Sequence, residues 1–433
     1  MLKPFFSAKK NGGTLYLSRL QCPGNAVLAT YSKSRRWAAA RLDAPLNADD
    51  ETLLRAAENS LDELTSLPQI ARAIAEAEEA SSRPRRLRSI FMHVCRSCNL
   101  ACSHCYYLAE KRNSGGYLPF DKIKETAEQA AHAGAQSAVI SGGEPLLHPD
   151  FERILRFFRA LGLKTTVLTN GTLANQTNAA LMRECGARVF VSLHGPDDET
   201  HGKLAGRGSF DAAVRGIKTL SKILGRDMVG VNCALCDQNA ARLAEMPAFA
   251  FGLGAGALRF MPLHDQNKIA GSSLSLSADT LKKWAIVAAR RTVDERLGEF
   301  ASWGLTGLPG GVCENVADSI CGVGESLTID SDGAIYPCPL LMEPRFALGT
   351  LEGGIIKAFE SAAIEEATRL IRSRALDGGA CADCALCGIC RGGCPALASQ
   401  SGGSLSGKDP SCEAISGYAK EYFRLAIKAA GKA

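Results

Sequence analysis

The segment Cys98-Asn99-Leu100-Ala101-Cys102-Ser103-His104-Cys105 sets the terms for the rest of this 433-residue chain. Three cysteines spaced C-x3-C-x2-C can wrap three irons of a [4Fe–4S] cube from one short loop, leaving the fourth iron without a protein ligand. An iron with an open site can bind and reduce a small molecule, so the loop proposes chemistry as well as structure. The order of the cysteines is not that of a zinc knuckle, and zinc would take a fourth ligand.

Outward from this loop the chain alternates strand and helix, the signature of parallel βα units. A strand over 90–94 runs into the cysteines. Further strands are expected over 137–140, 164–170, 188–194, 228–233 and 257–262. The intervening helices fall over 121–132, 150–161, 178–185, 210–224 and 240–251, with a last one over 278–297 and a connector over 304–311. Six such units are too few for a closed eight-stranded barrel. The expectation is an open, partial TIM-like (β/α)6 barrel in an α/β protein, with the site at the carboxyl ends of the strands.

Ser141-Gly142-Gly143-Glu144-Pro145 sits at the end of the second of these strands. With the aromatic His104 before the third cysteine, it makes the chain resemble the radical S-adenosylmethionine (SAM) enzymes, whose cluster reductively cleaves SAM to a 5′-deoxyadenosyl radical. The resemblance implies that the backbone of Gly142, Gly143 and Glu144 receives the methionyl amine. Glycines are expected there because a side chain would collide with the ligand. His104 falls where the family has an adenine-facing aromatic. Thr169, Asn170 and Ser192 end the third and fourth strands, where ribose and carboxylate contacts are usual. One departure stands out. Ala205 lies near the position of an Arg that pairs the SAM carboxylate in relatives, and His194 replaces their usual Asp. Lys203 or Arg207 substitutes for that Arg, or the contact is lost.

The last third of the chain carries a second cysteine pattern. Cys321, Gly333 and Cys338 read as C-x11-G-x4-C, and Cys381-x2-Cys384-x5-Cys390-x3-Cys394 is followed by Cys412. This resembles the seven-cysteine SPASM extension, which in the family holds two auxiliary [4Fe–4S] clusters. By that resemblance Cys313, Cys321, Cys338 and Cys394 hold the nearer cluster, and Cys381, Cys384, Cys390 and Cys412 the farther one. Cys387 reads either as an alternative ligand or as a buried bystander. Cys22, Cys95 and Cys185 read as packing residues, and Cys233-x2-Cys236 as structural.

Bulk properties agree with this reading. The chain is 46% hydrophobic and 22% charged, ordinary for a soluble globular protein, with net charge +5. It has no run of eighteen apolar residues and no export signal at its start, so no membrane span is expected. Seventeen cysteines clustered in these spacings argue for metal in a reducing cytoplasm rather than for disulfides. Nothing asks for nucleic acid as a partner. Before the barrel, 14–20 and 26–31 read as short strands, followed by 37–42, and two helices are expected over 48–64 and 67–80. The arginine-rich 81–88 reads as an exposed linker. The domains are then 1–87, a small α+β module suited to leader-peptide recognition or to packing on the barrel; 88–305, the barrel; and 306–433, a cysteine-rich Fe–S domain.

Relatives with a SPASM extension include sulfatase maturases, which place an Asp directly after the cysteine of the Cys338 position. Here Pro339 stands there, and that base is absent. The leading expectation is hydrogen abstraction from a ribosomally made peptide or protein, giving a thioether or carbon–carbon cross-link, with a flavodoxin- or ferredoxin-type electron donor. Oxidation of a haem precursor or another small molecule is the enzymatic alternative, and an Fe–S electron-transfer protein the alternative of another class.

Overall fold

The computed structural model describes residues 86–105, 107, 116–263, 274, 276–284, 322–374, 379–381 and 393–417, together with the backbone of four strands nearer the start. The helices expected over 48–64 and 67–80, the connector over 304–311, and Cys22, Cys313, Cys321, Cys384, Cys387 and Cys390 lie outside these residues.

The four early strands are β1 (Phe6–Lys10), β2 (Gly13–Arg19), β3 (Val27–Lys33) and β4 (Arg36–Leu42), an antiparallel meander in the order β1-β2-β3-β4. β2, β3 and most of β4 lie where the sequence places extended chain. β1 was not anticipated. Its Phe-Ser-Ala-Lys-Lys lacks an alternating apolar pattern, and its strand form comes from pairing with β2, from Phe6 opposite Leu17 to Lys10 opposite Gly13.

The second sheet has nine strands. β5 (Ser89–Cys95), β6 (Ser137–Gly142), β7 (Lys164–Thr169), β8 (Arg188–Ser192), β9 (Val229–Leu235) and β10 (Ala257–Pro262) run parallel, each paired with the next. These are the six expected units. Beyond β5 the sheet continues with β11 (Ser326–Ile329), parallel to β5, then β12 (Ala334–Tyr336) and β13 (Gly349–Thr350), each antiparallel to its neighbour. The cysteine-rich region therefore contributes strands to the barrel sheet itself. Among the described residues β10 and β13 are its edges, and they do not pair with each other, so the barrel they form is open.

Strand parity separates the two faces. Ile90, Met92, Ala138, Ile140, Val167, Val189, Val191, Val231, Cys233, Leu258 and Phe260 are buried in one core with residues of the covering helices. The helix α1 (Phe120–His132) contributes Ile123 and Ala127, and α2 (Phe151–Ala160) contributes Phe151, Ile154, Leu155 and Phe158. That i, i+3, i+4, i+7 spacing is one helical stripe. Phe158 is fully buried, and its truncation to Ala would cost about 3–5 kcal/mol. α3 (Gln176–Glu184) starts with a reciprocal box in which Asn175 and Asn178 cap each other's backbone. α4 (Asp198–Ala205) was not anticipated; the Asp197 carboxylate starts it by accepting from the Thr200 N–H at 2.7 Å. α5 (Phe210–Leu224) packs Ile217 and Leu220 inward, and α6 (Met246–Gly252) precedes β10. Because the strands are parallel, the cysteine loop, the Gly-Gly-Glu turn, Asn170 and Ser192 all emerge at one end of the sheet.

Candidate functional site

A bulge between His93 and Cys95 brings Cys95 opposite Gly142, so the cysteine loop and the Gly-Gly-Glu turn leave the sheet together. The Gly143 N–H donates to the Cys95 carbonyl at 2.7 Å, and the Glu144 N–H to the Ser97 carbonyl at 2.8 Å. A Cβ on Gly142 would stand 2.4 Å from the Cys95 carbonyl oxygen, and one on Gly143 only 2.1 Å from that of Ser97. Gly142 also has φ +133°. The glycines are thus required by the backbone of the cysteine loop, whether or not a ligand also needs the space.

Glu144 is fully buried. Its carboxylate accepts from the Thr169 hydroxyl at 2.7 Å, the Asn170 N–H at 2.8 Å and the Leu146 N–H at 3.1 Å. Burial raises its pKa, and the three donors pull it back. Asn170 then reaches the cysteine loop. Its Nδ2 donates to Asn99 Oδ1 at 2.9 Å and lies 3.9 Å from Cys98 Sγ, while Asn99 Nδ2 donates to the Thr172 hydroxyl at 2.8 Å.

Cys98, Cys102 and Cys105 are all partly exposed on this loop. The Leu100 N–H donates to Cys98 Sγ at 3.5 Å. Burial raises the Cys98 pKa, and a charge on Cys105 raises it further, as neighbouring sulfurs would. On the other side α4 ends against the loop, with the Ser103 N–H on the Leu204 carbonyl at 2.9 Å and the Cys102 thiol facing the Ala205 carbonyl at 4.0 Å. Three accessible thiols with N–H groups aimed at a sulfur fit a [4Fe–4S] cube with one open iron. Among the described residues no three His, Cys, Asp or Glu side chains converge as a single-ion site requires.

The ring of His104 meets that of His194 edge-on, with centroids 4.6 Å apart. His194 pins the chain. Its N–H donates to His201 Nδ1 at 3.1 Å, and its own Nδ1 accepts from the Ala234 N–H at 3.1 Å. Both rings therefore carry their proton on Nε2, and that of His201 donates to the Ser209 hydroxyl at 3.1 Å. Burial is the main cause lowering all three histidines, His104 and His201 to about 4 and His194 well below its usual value. At His194 a neutral imidazole thus stands where the resemblance leads one to expect an Asp. Ala205 is buried, and Lys203 pairs with Glu199 at 3.4 Å on the exposed face of α4. Arg207 is exposed and makes no ion pair among the described residues.

One cluster escaped the sequence reading. Arg96 donates to Asp330 Oδ2 at 3.1 Å and to Asp332 at 2.5 Å, and the Tyr107 hydroxyl donates to Asp330 Oδ1 at 2.6 Å. The Tyr107 ring stacks on buried His93 with centroids 4.2 Å apart. Burial pushes the Asp330 acid up, but Tyr107, the Ser331 N–H, His93 and Arg96 hold it below the usual range. Only the Asp-Ser-Asp-Gly turn after β11 hinted at a structured carboxylate.

Four of the SPASM-pattern cysteines are described. Cys338 and Cys394 pack against one small core of Val323, Leu341, Ala367, Ala396 and Leu405. Asp409 accepts from the Cys394 N–H at 2.5 Å and the Ser411 N–H at 2.6 Å, tying the chain around Cys394 to that entering Cys412. The Cys381 N–H donates to the carbonyl of Arg374, whose buried guanidinium reaches the Gly393 carbonyl at 3.2 Å. Outside these sets, Cys95 is buried with its thiol on the Glu144 carbonyl at 3.3 Å. Cys233 lies in the main core, and Cys236 in a separate cluster with Leu204, Ala234 and Leu274.

Residues 92–249 match the radical SAM superfamily profile. The chain is 27% identical over 359 residues to the mycofactocin maturase MftC of Mycolicibacterium smegmatis, which spans 81% of this chain and 88% of that one. Native anSMEcpe with bound AdoMet and Cp18Cys peptide superposes with a TM-score of 0.66 at 19% identity, over 80% of this chain and 99% of that one. SuiB of Streptococcus suis bound to its precursor peptide SuiA gives 0.59 at 17%, over 88% and 95%. At these identities the two structures speak for the fold. No helix among the described residues is long and apolar enough to cross a membrane.

Proposed function

Residues 92–249 are a radical SAM domain, and we propose that the chain uses it as a peptide maturase, installing a thioether or carbon–carbon cross-link in a ribosomally made peptide. The domain implies SAM and a [4Fe–4S] cluster as cofactors, the cluster held by Cys98, Cys102 and Cys105. When bound, the reduced cluster supplies the electron that splits SAM into methionine and a 5′-deoxyadenosyl radical, which takes a hydrogen atom from the substrate.

The observation that carries this reading is one loop with three partly exposed thiols, set beside two strand ends locked by the Glu144 carboxylate. The maturase reading is supported by the breadth of the likeness to the mycofactocin maturase, 81% of this chain. In this reading the chain's own residues bind and orient. An ammonium donates, and the N–H groups of Gly143 and Glu144 are already spent on the cysteine loop. The carbonyls of Gly142 and Gly143 are therefore what the turn offers the methionyl amine. His104 faces the adenine with a neutral ring, Asn170 and Ser192 lie beside the ribose, and Thr169 supports them through Glu144. Arg207, an exposed guanidinium with no ion pair among the described residues, takes the methionyl carboxylate in place of the Arg that Ala205 has lost.

Two auxiliary [4Fe–4S] clusters are part of the proposal, one on Cys313, Cys321, Cys338 and Cys394 and one on Cys381, Cys384, Cys390 and Cys412. So are leader recognition by residues 1–87, a flavodoxin- or ferredoxin-type donor, and a cytoplasmic setting that keeps the thiols reduced. Anaerobic reconstitution, reduction and incubation with SAM and with peptides encoded beside the gene test the reading. The expected products are 5′-deoxyadenosine and a peptide two mass units lighter per cross-link formed by loss of two hydrogens.

A further inference from the structure

Three interior-facing residues form one row across the last three parallel strands. Ser192 on β8 is in register with Asn232 on β9, which is in register with Arg259 on β10. Their parity is opposite to that of Val191, Val231 and Leu258, which pack against the helices, so the row faces the barrel interior. The residues around it agree. Buried Phe190 lays its ring over Gly230, where a Cβ would come within 2.3 Å of the ring. The Arg259 guanidinium stacks on that ring, 3.8 Å from its centroid. Met261, two residues on along the same face, is 45% exposed, so this part of the interior opens to solvent.

Asn232 is 94% buried, yet its Oδ1 has no hydrogen-bond partner among the described residues. A buried amide oxygen left unpaired is costly, and a ligand N–H aimed at it would recover that cost. The neighbouring guanidinium already makes contacts of its own, but its planar fork of five donors is more than one partner uses and is matched to a carboxylate. Together they suit a group that presents an N–H and a carboxylate side by side, as an amino-acid residue does. A phosphodiester has acceptors only and leaves Oδ1 unsatisfied.

We propose that Asn232 and Arg259 bind a carboxylate of the peptide substrate and the N–H beside it, inside the barrel and adjacent to Ser192. The inference rests on the peptide reading and deepens it: the substrate residue held next to the SAM site is acidic or carries the free C-terminus. One ligand chemistry has two sources here, and the test separates them.

The test titrates the reconstituted full chain, with SAM bound, using three probes: acetyl-trialanine with a free C-terminus, the same peptide as its C-terminal amide, and an amide variant with Asp at the third position. At least one acid is expected to bind about ten-fold or more tightly than the plain amide, since bonds to charged groups are the strong ones. Which acid binds names the source. Arg259→Met and Asn232→Leu should each abolish the preference, and Arg259→Lys should restore part of it as a point charge without the fork. Equal affinity for acids and amide overturns the inference. So does a ten-fold loss of SAM affinity in Arg259→Lys, which would assign the cation to SAM. A chain that modifies a peptide but shows no acid preference refutes this inference alone, whereas one that cleaves no SAM refutes the proposed function.

Discussion

Glu144 at the end of β6 and Thr169 at the end of β7 are joined by a 2.7 Å hydrogen bond that lies wholly out of solvent. Through this bond, and the Asn170 N–H on the other carboxylate oxygen, one buried acid holds two strand ends at the spacing the cysteine loop needs. Replacing it with Gln turns an amide NH2 towards donors that have no other acceptor. Glu144→Gln is expected to lower unfolding free energy by about 1–3 kcal/mol and to weaken SAM binding about ten-fold or more. Urea unfolding and a SAM titration read the two effects separately.

Gly143 leaves no room for a methyl group, since its Cβ would fall 2.1 Å from the Ser97 carbonyl oxygen. That oxygen belongs to the backbone entering Cys98 and cannot swing away. Gly143→Ala should therefore displace the loop, and iron retained per chain after anaerobic reconstitution should fall. An alanine variant with full iron content and unchanged visible absorbance would contradict the backbone argument.

Arg96 and Asp330 are 234 residues apart in sequence and 3.1 Å apart in the fold. With Tyr107 they fasten the hairpin of the cysteine-rich region to the loop that follows β5. A double-mutant cycle of Arg96→Met and Asp330→Asn should give a coupling of about 1–2 kcal/mol. Tyr107→Phe alone should cost about 1 kcal/mol. Strictly additive losses would mean the ion pair is incidental.

His93, His194 and His201 are buried and neutral, with His93 and His201 lowered to about 4 chiefly by burial. In the unfolded chain the same groups titrate near 6.5, so between about 6.5 and 4 the unfolded state binds more protons and stability rises with pH. Each of these histidines should therefore remove about 1 kcal/mol by pH 5.5, and for His93 and His201 the loss should level off below about pH 4. The urea midpoint at pH 5.5 is expected to lie below that at pH 7.5. A midpoint that does not move would mean that these rings protonate in the native fold.

Much of the barrel is legible in the sequence because its information is local. Each strand is a short apolar run, each helix a 3.6-residue stripe such as Phe151, Ile154, Leu155 and Phe158, and the cysteine loop is contiguous. The residues that lock the site are harder to read because their partners are remote. Nothing near Asp330 announces Arg96, and nothing near Ser326–Ile329 announces pairing with Ser89–Met92. Gly142 and Gly143 stand out in sequence, but the backbone they make room for lies some 45 residues earlier and is not announced there. His194 reads as a departure from a family acid, and only its bonds to Ala234 and His201 show it as a neutral pin.

The most direct measurement compares 5′-deoxyadenosine formed from SAM by the reduced, anaerobically reconstituted protein with that formed by the Cys98→Ala/Cys102→Ala/Cys105→Ala variant. Deoxyadenosine from the wild type and none from the variant is the predicted result. Its absence from a wild-type protein with full iron content would contradict the account and favour an electron-transfer role.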